Sequence, residues 1–289
     1  MNLDGERTQG QLNLRYEDIA QDGRVMIQML PVSLGVIWRA ITIPRETRRA
    51  LRAGGILPIL TRYEMEAGED PFAVENPLQV TGGYELAHSA DADGKIERLF
   101  LDMDSELTGV KGRTNLPGPA DTGSPAFAGR LRVEHIFTRP FAPPGERKVS
   151  SFESDGQHFV PQTKRAWRAP WSTLEPSANL TALDSDFVVD PHPMVLGVMH
   201  TDSNQHVNSL VYPRLFEEAA LRRFAVLGKS TTVLARSIDI AYRRPSFAGD
   251  TLRIFVRAFE NAAIGYFFGS NDDATDVKKA RAFVQMRFA

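Results

Sequence analysis

The sequence predicts an α+β protein built twice on one plan, a long helix packed on an antiparallel sheet, and three observations carry that reading. An amphipathic helical stretch late in the chain is followed by several strand-like runs. The first half repeats the same order of elements in weaker form. The length, 289 residues, exceeds the usual span of a single domain, so two tandem domains are expected. Residues 1–150 form the first, with a linker to about residue 188, and residues 189–289 form the second.

In the second half, Val207, Val211, Leu215 and Ala219 recur at four-residue spacing, and Leu210, Ala220 and Phe224 widen the apolar stripe. This predicts a helix from about residue 206 to residue 227. Its other side carries Arg214, Glu217, Glu218, Arg222 and Arg223, with Glu218 and Arg222 in the favourable acid-first order. Pro213 either kinks the helix or marks where its regular part begins, and Gly228 suits a left-handed cap at its end. Residues 232–243, 251–260 and 279–288 read as strands, with a further one at 263–269. Residues 245–250 form a breaker-rich connection. A helix followed by such a meander covers one face of a sheet.

In the first half, residues 24–30 read as a leading strand. Residues 32–53 contain a helical stretch with Leu34, Val36, Ile37, Ile41 and Ile43, which Pro44 breaks before a second turn restarts at Arg45. Strands are expected at 56–65, 78–88 and 96–107. Residues 111–125 and 139–148 are rich in turn formers, and the alternating stretch at 131–137 is a strand whose place stays open.

Composition excludes more than it names. With 42% hydrophobic and 24% charged residues the chain should fold, and a net charge of -2 gives no general attraction to nucleic acid or to an anionic membrane. The absence of cysteine removes disulfides, a thiol nucleophile, thiolate metal sites and iron-sulfur clusters together. The polar start does not look like a secretory signal and no apolar run is long enough to insert in a membrane, so a cytoplasmic protein is the expectation.

The segment from His200 to Tyr212 reads His-Thr-Asp-Ser-Asn-Gln-His-Val-Asn-Ser-Leu-Val-Tyr, which crowds an acid, amides and imidazoles at the expected start of the long helix. Taken singly, Asp202, Asn204 and Asn208 are ordinary capping residues. Together they acquire a chemical meaning. A helix N-terminus offers amide donors and a positive dipole end, suited to the negative charge that develops on a thioester carbonyl under attack. The same end disfavours imidazolium, so His206 is the expected base. Asn204 orients water or substrate, and Asp202 orients the histidine or polarises water.

This string, Asp-x-Asn-x-His-Val-Asn at Asp202, Asn204, His206, Val207 and Asn208, followed by Tyr212, resembles the plant and bacterial acyl-acyl-carrier-protein thioesterases. The resemblance implies two fused hot-dog domains, a double hot-dog, with the motif in the second. It also implies that Asp202, Asn204 and His206 are catalytic and that an acyl thioester, carried on acyl carrier protein or CoA, is hydrolysed without a cofactor or a metal. Asn208 and Tyr212 then fall on the substrate side of the site. The likeness runs from Met199 to about Asp250, and the first domain, which has no such cluster, is expected to shape an acyl pocket. Ser209 stands where the family continues with a second Asn, and Ala241 stands where it carries a Glu before the Tyr-Arg-Arg run at 242–244. Asp239, two residues earlier on the same strand face, is the candidate to replace that acid.

His88, His135 and His158 lack local partners and read as structural, and His192, near His200 and Asp190, has no recognised ligand spacing. Arg214, Arg222, Arg223, Arg243 and Arg244 form either a basic surface for an acidic carrier or CoA phosphate, or ordinary solvated faces. A homodimer stays open. So do two other functions: a hydratase or dehydratase acting on an acyl thioester, and an acyl-binding accessory protein without turnover.

Overall fold

The structure, a computed structural model, describes residues 5–40, 45–115, 117–154, 157–177 and 179–289. The chain forms two compact units. The first gathers the described residues up to Val25 with Met29–Thr61 and Gly68–Arg168, and the second holds Met26–Gln28, Arg62–Ala67 and Ala169–Ala289. Two short pieces of the N-terminal half belong to the second unit.

The first unit contains β1 (Gly5–Leu12), α1 (Leu34–Ala40), α2 (Arg45–Ala53), the first half of β2 (Leu57–Ala67), β3 (Leu78–Ala90), β4 (Ile96–Val110) and β5 (Pro125–Thr138). Strands β1, β3, β4 and β5 are antiparallel neighbours in that order, and Leu57–Thr61 of β2 lies beside β5. Period-2 alternation turns Leu99, Leu101, Met103, Leu131 and Val133 inward, and α1 covers β1, β3 and β4. The small strands β6 (Phe152–Ser154) and β7 (Gln157–Phe159) pair with each other, and β8 (Thr163–Lys164) runs parallel to β3.

Of the expectations for this half, one changes, one holds in outline and one left open is placed. The first strand is the polar segment Gly5–Leu12, whereas residues 27–30 of the strand expected at 24–30 belong to a 3-10 helix, Ile27–Ser33. The helical stretch is two short helices, and Ile41, Ile43 and Pro44, where a break is expected, lie outside the described residues. The stretch at 131–137 belongs to β5, paired along β4, so it extends the first sheet.

The second unit contains β9 (Val188–Val189), β10 (Met194–Val195), α3 (Val211–Val226), β11 (Ala235–Tyr242), β12 (Thr251–Phe259), β13 (Ala262–Gly269) and β14 (Ala282–Phe288). Its antiparallel order is Arg62–Ala67 of β2, then β11, β14, β13 and β12, with β9 and β10 both on the free side of β12. Helix α3 lies on β11, β12 and β14 and buries Leu215, Phe216, Ala219, Ala220 and Phe224. Full burial of a side chain such as Phe216 contributes about 2 kcal/mol. On the second unit's other face, Trp171, Leu174 and Phe187 pack against Tyr266, Phe268 and Phe283. The helix ends in a Schellman turn: Gly228 has φ 68°, its N–H donates to Ala225 and that of Lys229 to Phe224. No single helix among the described residues is long and apolar enough to cross a membrane.

Candidate active site

Helix α3 begins at Val211, not at His206, and the polar motif forms a tight turn ahead of it. Thr201 and Val207 pair as an antiparallel bridge. Between them, the Asp202 N–H donates to the His206 carbonyl at 2.9 Å and the Gln205 N–H to the Asp202 carbonyl at 2.9 Å. Gln205 takes the left-handed conformation, φ 64°, that such a reversal requires. The Asp202 carboxylate accepts the Asn204 N–H at 2.8 Å, an Asx turn that holds the tip closed. The helical spacing of Val207, Leu210 and Val211 is real, but Val207 is buried as a strand-like residue, its N–H donating to the Ser246 carbonyl at 2.8 Å.

Asn208 is the residue that turns the chain into the helix. Its N–H donates to the His200 carbonyl, its Oδ1 accepts the Leu210 N–H at 2.9 Å and its carbonyl accepts the Val211 N–H at 3.0 Å. Two amides at the helix entrance, those of Leu210 and Val211, are thus engaged by Asn208. The turn leaves Ser203, Asn204, Gln205 and His206 exposed, and the Asn204 side-chain amide has no partner among the described residues. The His206 ring meets the edge of Phe247, with centroids 5.3 Å apart and planes at 76°.

Three loops converge at this turn. Leu196 exchanges hydrogen bonds with Asp250 and Gly249, Ser246 holds Val207, and His200, whose Nδ1 accepts the Gly197 N–H at 2.9 Å, holds Asn208. The surface beside the turn is apolar and exposed, with Val198 79%, Met199 90% and Phe247 48% accessible. Ser246 is fully buried and its Oγ accepts the Tyr212 hydroxyl at 2.8 Å and Arg281 Nη1 at 3.0 Å. Arg281 also binds Asp272 and Asp250.

Tyr212, read from the sequence as facing substrate, is inside: its hydroxyl is satisfied by Ser246 and its ring packs on Tyr242 and Phe267. Burial pushes its phenol pKa up, and that of Tyr242 well up, so the Tyr242 hydroxyl stays a donor, 2.8 Å from the Ser209 carbonyl. Asp239, the candidate replacement acid, is paired instead with the buried Arg62 at 2.7 Å. The same Arg62 donates to Thr173 and to the Ala169 carbonyl and stands opposite Ala241 in the strand register. Tyr242 points to α3, so by strand alternation Asp239 and Ala241 face the sheet's other side, away from the motif-bearing helix. The basic surface is also largely neutralised, because Arg222 is bonded to buried Asp190 at 2.6 Å, Arg223 to Asp184, and Arg214 lies 3.4 Å from Glu218.

Sequence reasoning missed Ser246, Phe247 and Arg281. The one local signal was an aromatic residue, Phe247, inside a connection otherwise built of turn formers.

No protein-family model matches the chain, and no curated protein does. Solved structures do. A Lactobacillus plantarum protein provisionally named as an oleoyl thioesterase superposes with a TM-score of 0.60 at 12% identity, over 99% of this chain and 97% of its own. An acyl-ACP thioesterase from Bacteroides thetaiotaomicron gives 0.57 at 14% identity, over 98% of each chain. The 12:0-ACP thioesterase from Umbellularia californica gives 0.57 at 12% identity, over 100% of this chain and 99% of its own. At such identities the likeness is one of architecture: this chain has the double hot-dog fold.

Proposed function

We propose that this protein hydrolyses acyl thioesters, borne on acyl carrier protein or CoA, to the free acid and the thiol. The observation that carries the reading is the closed turn Asp202–His206, which presents an imidazole and an unpartnered side-chain amide outward beside an exposed apolar surface. Its occurrence in a fold shared with three named thioesterases supports the same reading.

His206 takes a proton from water as the water oxygen bonds to the thioester carbonyl carbon. The Asn204 amide donates to the oxyanion that forms, the task assigned from sequence to the helix amides that Asn208 occupies. The intermediate then collapses with cleavage of the C–S bond, and the departing thiolate takes the proton back from the imidazolium. Asp202 shapes the turn through the Asn204 N–H. Asp239 stays with Arg62 and supplies no second acid.

The test is a panel of acyl-CoA and acyl-carrier thioesters of graded length, followed by thiol release and product mass. Equimolar thiol and free acid are expected. Enoyl or hydroxyacyl thioester without thiol would replace the reading by hydration or dehydration, and tight binding without turnover by an accessory role.

A further inference from the structure

We infer that Arg281 is a positioning residue for His206, acting through the loop from Ser246 to Asp250; the inference rests on the reading of His206 as the base. Arg281 lies on the segment leading into β14, far in sequence from the motif, and its side chain is 13% exposed. Its guanidinium spans two elements. Nε donates to Asp272 at 2.8 Å, where the chain turns after β13, while Nη1 donates to Ser246 Oγ at 3.0 Å and to Asp250 Oδ2. Asp250 in turn accepts the Phe247 N–H at 3.1 Å.

The clamped loop touches the motif in two places. The Ser246 carbonyl accepts the Val207 N–H, which fixes one leg of the turn, and the Phe247 ring meets the His206 ring. Among the described residues Phe247 is the ring partner of His206, so the imidazole's orientation depends on where that loop sits. Arg281 sets it with a planar fork that a single ammonium cannot reproduce. Gly269 leaves the space for the fork, because a Cβ there would lie 2.3 Å from Arg281 Nη2.

The test combines Arg281→Lys, Asp250→Asn and Phe247→Leu with histidine-labelled NMR and steady-state kinetics. In each variant the imidazole C–H resonances of His206 should move while those of His135, in the first unit, stay. The value of kcat should fall about tenfold with KM within about twofold, the signature of misplacement rather than lost binding. The double variant Arg281→Lys/Phe247→Leu should lose little more than the worse single, because both act on one loop. An unmoved His206 resonance in the lysine variant, or fully additive losses, overturns the inference. Should the lysine variant not fold, Asp250→Asn, partly exposed and equal in shape, decides in the same way. Absence of thioester turnover in the unaltered protein would defeat the functional reading, while the resonances would still decide whether Arg281 positions His206.

Discussion

Asn208 and Asn204 carry the same amide on one short segment of chain, yet the structure gives them opposite tasks. Asn208 is consumed by the backbone, capping the approach to α3 through Leu210, so Asn208→Ala should cost about 1 kcal/mol of stability, and Asn208→Asp much less. Urea unfolding of the two variants checks this. Asn204 has its side chain free, so Asn204→Ala should leave stability near that of the parent and lower kcat by about 100-fold if its amide meets the oxyanion. Equal kcat in that variant would move the oxyanion contact elsewhere.

At the scale of elements, α3 sits on the sheet because β13 carries no side chain where Phe216 lands. A Cβ at Gly265 would lie 2.5 Å from Phe216 Cε2 and 2.0 Å from the Phe255 carbonyl, so Gly265→Ala should destabilise the protein by about 3 kcal/mol, read as a fall in the urea midpoint. Much of this element plan is legible in the sequence, since period-2 runs and a helical stripe are local signals and give β2 to β5, β11 to β14 and α3. What escapes is set by long-range contacts. Strand β1 is polar and carries no regular apolar alternation, and it forms because its backbone pairs with β3, which no local pattern announces. The start of α3 is misplaced by the sequence because Val207 fits a helical stripe, whereas its bond to Ser246 and the left-handed Gln205 make it the leg of a turn. The motif residues could be named from the string itself, but their support by Arg281 could not.

Taken as a whole, the molecule carries two opposed proton linkages in its first unit. Burial raises the Asp102 carboxyl to about 6, against the help of Arg165, so its ionisation disfavours the fold and stability from this group grows as pH falls from above 6 toward 4. Burial lowers His135, on the neighbouring strand, to about 4, so its contribution is present above its ordinary range and is lost as pH falls through 4. Between pH 4 and 6 the two offset each other, each by about 3 kcal/mol. Asp102→Asn should therefore make acid destabilisation steeper, and His135→Gln should make the first unit more stable at pH 5 than at pH 7, by urea titration followed on β4 resonances. The reverse order of slopes would contradict both assignments.

The claim on which the function turns is that His206 activates water against a thioester. The most direct measurement is the single-turnover rate of thiol release from a good acyl thioester, compared between the parent and His206→Gln with matching spectra and unfolding midpoints. A loss of at least about 100-fold is expected for removal of a general base. A glutamine variant that releases thiol at the parental rate would contradict the account.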